Sequence, residues 1–258
     1  SIVGGVLRHT ERNWAKSRAL WEVDVCPVPG TPTALPAVCE SRELLATGWS
    51  DGSVVVANRR DGTKLGAWKA HQGPVGVVAF SPDGGLMLTA DRMESSVENS
   101  VIVWSCSDFK GVEQRCEIHG HRGWLLSAAF SPDQEILATA GIDSRILLWD
   151  ADTGNLRQEL VGQTQAVGGL AFTPDGKTFA SASGDGTVRL WHVATGRELM
   201  KLNLDSSTWS VAFSPDGNTL AATGGVDPWA QEELHVWRVP SFEEIADSER
   251  TLPQGQSQ

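Results

Sequence analysis

The chain has 258 residues, 40% of them hydrophobic, and a formal net charge of −11, so it can form one large or two small domains with a substantial core. The acidic balance argues against a nucleic-acid-binding surface and against docking on an anionic membrane, and no run of about 18 apolar residues predicts a membrane span. A partner protein or peptide with basic residues suits this charge, although acidity also serves solubility.

The N-terminal run IVGGVLRH has the pattern of a β-strand. We interpret residues 1–18 as an outer strand and loop of a preceding unit, which favours a fragment of a longer chain. Two alternatives stay open: an N-terminal tail, or a strand that pairs with the C-terminal unit to close a small ring.

A degenerate four-stranded unit follows over residues 19–68. We predict its first strand in LWEVDVCP, residues 20–27, because this run stands where a first strand and turn belong. The segment 28–42 contains three prolines and is predicted to be an extended loop. The three later strands are predicted at 44–48, 54–58 and 64–68.

The phrase FSPDG then recurs, and it predicts the fold. It occupies residues 80–84, 130–134 (as FSPDQ), 172–176 (as FTPDG) and 213–217. A self-similar period of 41–50 residues indicates one supersecondary unit copied several times, whose copies must stack on each other to bury their apolar faces.

Each copy contains four short apolar runs separated by Gly, Asp and Pro turns, which is the pattern of strands. The sequence therefore predicts an all-β fold, a β-propeller of four-stranded antiparallel blades. About five blades are expected, at 19–68, 74–118, 124–160, 166–202 and 208–246, followed by a disordered tail over 247–258. A β-sandwich is the rival all-β fold, but it does not need identical turns at a fixed period.

At this point the chain resembles the WD-repeat β-propeller family, in the FSPDG form that we associate with bacterial members. GHRGW at 120–124 and ILLWD at 146–150 carry the Gly-His and Trp-Asp signature of that family. Because the family most often closes with seven blades, the resemblance implies that this chain is part of a larger propeller.

The resemblance also implies a structural tetrad in each blade: a His before the first strand, a Ser or Thr in the second, an Asp in the next turn, and a Trp. The third unit carries a complete tetrad, and the four others carry parts of one. The complete set is His121, Thr139, Asp143 and Trp149; the partial sets are Ser181, Asp185 and Trp191 with Gln163 in place of His, then His71 and Trp104, then Thr47 and Asp51, then Thr223 and Trp237.

We expect no catalytic residues, no cofactor, no metal and no small-molecule substrate. The pair His121 and Asp143 is explained by the tetrad, and the chain contains no GxSxG, HExxH or phosphate-binding motif. The four cysteines form no CxxC pair, so zinc is not expected. Their even number leaves disulfides open, but we expect reduced thiols and a cytoplasmic location.

A partner is expected on the face formed by the loops before the first strand and between the second and third strands. Two acidic insertions, 91–100 and 225–233, map to this face. Tryptophans outside the strand pattern would serve as anchors for a basic peptide. The candidate contacts are Trp229, Trp209, Leu126, Trp124, Asp91, Glu94, Glu98 and Asp227.

The favoured function is a non-catalytic scaffold that binds a partner protein or peptide through these loops. The alternatives are a regulatory or sensor region of a larger protein with a catalytic domain elsewhere and, less favoured, a propeller-type hydrolase.

Overall fold

A computed structural model describes residues 3–8, 33–34, 36–92, 100–109, 111–204, 206–225 and 233–238. Within these ranges the chain forms strands and turns and no helix. Twenty strands, β1 to β20, make five antiparallel sheets of four strands each. The prediction of an all-β fold built from four-stranded blades is confirmed.

Four sheets use strands that are consecutive in the chain. The first sheet contains β2 (Ala37–Cys39), β3 (Leu44–Gly48), β4 (Ser53–Asn58) and β5 (Lys64–Lys69). The second contains β6 (Val75–Phe80), β7 (Leu86–Asp91), β8 (Val101–Ser105) and β9 (Glu113–Ile118). The third contains β10 (Leu125–Phe130), β11 (Ile136–Gly141), β12 (Ile146–Asp150) and β13 (Leu156–Leu160). The fourth contains β14 (Val167–Phe172), β15 (Thr178–Ser183), β16 (Thr187–His192) and β17 (Glu198–Asn203).

The fifth sheet takes one strand from the other end of the chain. It contains β18 (Thr208–Phe213), β19 (Thr219–Gly224), β20 (Glu233–Arg238) and, as its outer strand, β1 (Val3–Arg8). β1 pairs antiparallel with β20, from Val3 opposite Arg238 to Arg8 opposite Glu233. Assigning the N-terminal strand to a preceding unit was therefore wrong. Its pairing with the C-terminal unit, as in the second alternative, is found, but the described residues do not show the closed ring that this alternative assumed. Residues 239–258, which include the end of the predicted fifth blade and the predicted disordered tail, lie outside the described residues.

The first sheet also differs from its prediction. Its innermost strand is Ala37–Cys39, inside the segment that was expected to be a loop. Pro36 stands directly before this strand, where the missing N–H costs no ladder hydrogen bond, so the prolines delimit a short strand and do not exclude one. The run 20–27, where the strand was predicted, lies outside the described residues.

The recurring FSPDG phrase forms the turn between the first and second strands of a sheet. In the second sheet the Ser81 hydroxyl donates to Asp83 Oδ1 (2.7 Å) and accepts from the Leu86 N–H (2.9 Å). Gly84 takes the left-handed conformation that closes the turn (φ 68°). Ser131, Thr173 and Ser214 repeat the hydroxyl–carboxylate bond with the aspartate two residues later. The repeat is thus a turn that satisfies its own polar groups.

The hydrophobic core is divided into four clusters, each lying between two neighbouring sheets. Met87 and Trp104 of the second sheet, for example, pack with Val54 and Leu44 of the first. Phe179 and Trp191 of the fourth sheet pack with Leu148 of the third. The sheets are therefore stacked side by side as blades and do not form two facing layers. Among the described residues, no comparable interface joins the fifth sheet to the first.

Candidate functional site

Two kinds of loop meet at one end of each sheet: the loop before the first strand, and the turn between the second and third strands. We call this end the loop face; the FSPDG turns lie at the other end. One backbone hydrogen bond joins the two loops in four sheets: Arg92 N to Pro74 O (2.7 Å), Ile142 N to Trp124 O (2.9 Å), Gly184 N to Ala166 O (2.9 Å) and Gly225 N to Ser207 O (3.0 Å). The loop face therefore repeats one backbone arrangement from the second sheet to the fifth.

In the third sheet the structure brings the four predicted tetrad residues together. Trp149 Nε1 donates to Thr139 Oγ1 (2.7 Å), and Thr139 Oγ1 lies 2.8 Å from His121 Nε2. His121 Nδ1 lies 3.0 Å from Asp143 Oδ2, which also accepts from the Arg122 N–H. Burial alone would raise the pKa of the Asp143 carboxyl, but its bonds to His121 and to backbone N–H groups hold that pKa below its ordinary value.

The fourth sheet contains an equivalent network with an amide in place of the imidazole. Trp191 Nε1 donates to Ser181 Oγ (2.9 Å), so the Ser181 hydroxyl hydrogen is directed to the amide of Gln163, 2.9 Å away. The amide oxygen of Gln163 must then face Ser181, and its nitrogen lies 3.0 Å from Asp185 Oδ2. Glutamine thus takes both hydrogen-bonding roles of the histidine. The expectation that only the third unit holds an intact network was wrong.

The second sheet has three of the four groups. Trp104 Nε1 donates to Thr89 Oγ1 (2.8 Å), which lies 2.7 Å from His71 Nε2. The other ring nitrogen of His71, Nδ1, is buried and has no hydrogen-bond partner within the described residues. Burial lowers the pKa of His71 to about 4, against a smaller opposing effect from the charge of Glu117. Thr89 was not singled out in the sequence, because the insertion before Trp104 changes its spacing from the tryptophan.

The first sheet replaces the missing tryptophan from another position in the chain. Ala57 stands where the other sheets have Trp, but the indole of Trp49 donates to Thr47 Oγ1 (3.2 Å). Asp51 accepts from the N–H and the hydroxyl of Ser53, both at 2.9 Å, and so stabilises its own turn. These local hydrogen bonds hold the pKa of Asp51 below its ordinary value, and the bond from the Ser53 backbone N–H has the largest effect.

Trp209, a predicted contact, is placed on the loop face by a β-bulge. The β18–β19 register skips it between Thr208 and Ser210, and an extra residue of this kind re-aims its side chain. The indole packs against Gly168 and Gly184 of the fourth sheet. A Cβ atom added to Gly168 would lie 2.9 Å from the ring, and one added to Gly184 would lie 3.1 Å from it. Trp209 nevertheless remains 46% exposed.

The same bulge recurs in three other sheets, where the skipped residues are Gly76, Leu126 and Gly168. Leu126 is partly buried there, as is Trp124 just before it. The exposed guanidinium of Arg92 lies 4.8 Å from the centre of the Trp124 ring, a cation–π contact between the second and third sheets.

Asp91 ends β7 and is only 6% exposed, with its carboxylate accepting from the Ser100 N–H (3.0 Å). Burial raises the pKa of this carboxyl. Asp91 therefore lies largely buried at the end of β7. The remaining predicted contacts, Trp229, Glu94, Glu98 and Asp227, lie outside the described residues.

Comparison with known families decides the classification. The model of the WD domain, G-beta repeat (WD40) matches residues 62–105, 112–150, 154–192 and 198–228, more than half of the chain. The chain belongs to the WD40 repeat family. Each matched WD40 unit begins at or near the outer strand of one sheet and continues into the next sheet, so the sequence repeat is offset from the blade.

Individual relatives include a protein that is itself named for WD repeats. WD repeat and SOCS box-containing protein 1 of Xenopus tropicalis is 32% identical over 109 residues, which cover 42% of this chain and 24% of that protein. Small ribosomal subunit protein RACK1y of Oryza sativa subsp. japonica is 34% identical over 95 residues, covering 37% of this chain and 26% of that protein. The chain thus spans about a quarter of the length of these relatives.

The WD40 loop face carries two exposed apolar residues that were missed in the sequence. Ile142, 45% exposed, lies in the turn between β11 and β12 and packs against Gly123. Val161, 81% exposed, begins the loop after β13. The sequence feature that could have identified them is a β-branched apolar residue at a turn position, where polar residues are usual.

The described residues hold no group of three or more His, Cys, Asp or Glu side chains placed to bind a metal ion. Nor does the described part of the chain contain a helix of the length and apolar character needed to cross a membrane.

Proposed function

We propose that this WD40 chain is a non-catalytic scaffold that binds a partner protein or peptide through the loop face. The observation that carries the proposal is Trp209: a bulge aims the indole at the loop face, two glycines support the ring, and almost half of the residue stays exposed. A rigid, half-exposed indole is a typical binding anchor because it offers a large contact area at little entropic cost.

Other features of the loop face support a binding surface. Ile142, in a third-sheet loop, and Val161, in a fourth-sheet loop, add exposed apolar side chains. WD-repeat relatives include a protein named as part of the small ribosomal subunit, which by its name works inside an assembly. We infer by analogy that this chain also acts through protein contacts.

The charge distribution supports a partner that carries Lys or Arg near Trp209. The described loop residues of the fourth and fifth sheets, 161–166, 184–186 and 206–207, contain Asp185 and no Lys or Arg. The cations lie elsewhere: Lys69 ends β5 of the first sheet, and Arg92 and Arg122 lie on loops of the second and third sheets. A basic side chain could therefore stack on the Trp209 ring without meeting a like charge nearby.

The proposal is of a non-catalytic protein because His121 and Asp143, the pair that could suggest catalysis, are buried and hydrogen-bonded within the tetrad. His121 is 4% exposed, and its two nitrogens face Thr139 and Asp143, so neither is free to take a proton from a substrate. This argument disfavours the propeller-type hydrolase. A regulatory or sensor region of a larger protein remains the second candidate.

We also propose a cytoplasmic location. The described cysteines, Cys39, Cys106 and Cys116, are free thiols, and thiols stay reduced in the cytosol.

The test is quantitative affinity capture from cells with the wild-type chain, Trp209→Ala and a control, Leu199→Ala. Leu199 is 51% exposed on β17, an outer strand away from the loop face. We expect bound partners to fall about tenfold or more with Trp209→Ala, as for a hot-spot residue, and to be retained by the control. Trp229→Ala, at a contact predicted from the sequence, provides a second variant.

Thermal melting of the purified variants completes the test. Both tryptophan variants should melt within about 5 °C of the wild type, which separates binding from folding. Retention of every partner by Trp209→Ala, or equal loss with Leu199→Ala, would exclude Trp209 as the anchor.

A further inference from the structure

A cleft beside His71 is the strongest unassigned feature of the loop face. It has a volume of about 280 Å³ and lies between the loop before β6 and the end of β7 in the second sheet. Its lining residues are Lys69, Ala70, His71, Gln72, Asp91 and Ser100. We call it the His71 cleft.

The hydrogen bonds around His71 determine which of its nitrogens carries the proton. The indole of Trp104 can only donate, so Thr89 Oγ1 accepts from it. No other acceptor for the Thr89 hydroxyl hydrogen lies within the described residues, so that hydrogen is directed to His71 Nε2. In a neutral imidazole the proton is then on Nδ1.

His71 Nδ1–H is consequently a donor without an acceptor among the described residues. The side chain is 5% exposed, and the cleft is bordered by this ring. In the third sheet the corresponding N–H meets the carboxylate of Asp143 at 3.0 Å. A buried donor left unpaired is unfavourable, so the cleft favours any occupant that supplies an oxygen at this point.

Asp91 restricts the chemistry of that occupant. One of its oxygens accepts from Ser100 N, and the other has no hydrogen bond among the described residues. Glu117, which accepts from the Ser100 hydroxyl (2.9 Å), adds a second negative charge close by. A carboxylate ligand would be repelled by this pair, and an ammonium group would leave the His71 N–H without an acceptor.

A group that both accepts and donates satisfies the two conditions. The fourth sheet shows that an amide can do this: Gln163 accepts from Ser181 and donates to Asp185. We propose that the His71 cleft binds a primary carboxamide, the side chain of an Asn or Gln in the partner, whose oxygen accepts from His71 Nδ1 and whose nitrogen donates to Asp91. This inference rests on the proposed function, since it names a contact made by the partner.

The experiment is an NMR titration that needs no partner. The ¹⁵N-labelled chain is titrated with three capped amino acids that share a backbone: the N-acetyl N-methylamides of glutamine, glutamate and lysine. Long-range ¹H–¹⁵N spectra report the ring nitrogens of His71, whose signals are assigned by their absence in His71→Gln. His71→Gln is expected to fold, because Gln163 occupies the position of His71 in the fourth sheet. Asp91→Asn is a second variant in case His71→Gln does not fold.

We expect a saturable shift of the His71 Nδ1 signal with the glutamine probe alone, and loss of that shift in Asp91→Asn. No shift, or equal shifts with all three probes, would overturn the inference. A change in the Nδ1 signal of the free protein in Glu98→Gln would also overturn it, because the acceptor of the His71 N–H would then be Glu98. Glu98 stands six residues before Trp104, which is the spacing of Asp143 from Trp149. Because the titration uses no partner, its failure leaves the Trp209 capture experiment to judge the proposed function separately.

Discussion

Replacing Thr139 by valine tests the hydrogen-bond network at the centre of the third sheet. Thr139 is fully buried, and its hydroxyl oxygen connects Trp149 Nε1 (2.7 Å) with His121 Nε2 (2.8 Å). Valine keeps nearly the same shape, so packing in the cluster between the second and third sheets changes little. The variant therefore isolates the loss of the two hydrogen bonds.

The expected loss follows from the groups left unpaired. Trp149 is 2% and His121 4% exposed, so water cannot replace the hydroxyl at either nitrogen. A buried polar group without a partner costs about 1–3 kcal/mol, and two such groups predict a loss of about 3–4 kcal/mol in the free energy of unfolding. Guanidinium chloride unfolding, followed by tryptophan fluorescence, measures this difference.

The matched control is Thr178→Val at the start of β15. The Thr178 hydroxyl makes no hydrogen bond within the described part of the chain, so the same substitution should change stability by less than about 0.5 kcal/mol. If Thr139→Val unfolds at the same denaturant concentration as Thr178→Val, the network does not stabilise the blade and the reasoning fails.

Three further predictions concern single residues. Trp149→Ala should cost about 3–5 kcal/mol through the cavity that it leaves, and an unchanged unfolding curve would contradict its place in the core. Gly176→Ala should lower the free energy of unfolding, measured by thermal unfolding, by about 1 kcal/mol because φ is +69° at this residue. A steric clash does not contribute, since the nearest atom to an added Cβ, Pro132 Cδ, is 3.6 Å away. Gly176→Asn should cost less. The pKa of His71 falls to about 4 on folding, so the unfolded chain binds more protons below pH 6.5 and stability is lost as pH falls. Between pH 7 and pH 4 the wild type should lose about 3 kcal/mol more than His71→Gln in urea unfolding, and equal losses would refute the shift.

The sequence was sufficient to predict four-stranded units for the second, third and fourth sheets. Local information determines them: the Ser–Asp bond, the proline and the glycine of each FSPDG turn lie within six residues of each other. The third-strand tryptophans then set the register of the remaining runs. The Gly-His and Trp-Asp pairs also located the tetrad residues that meet in the third sheet.

Long-range pairings were beyond the sequence. Nothing local indicates that Val3–Arg8 pairs with Glu233–Arg238 across the length of the chain. The amide of Gln163 and the indole of Trp49 take over hydrogen bonds that the family pattern gives to other residues, and only their three-dimensional positions reveal this. The bulge at Trp209 is likewise set by pairing with β19, so the sequence could suggest an exposed indole there without specifying the pairing that exposes it.

Hydrogen–deuterium exchange of the chain, alone and with a partner recovered by the capture experiment, locates the binding surface directly. Binding through the loop face predicts slower exchange in residues 119–124 and 161–166 and around Trp209, with the FSPDG turns unchanged. Protection confined to the FSPDG turns, at the opposite end of the sheets, would contradict it.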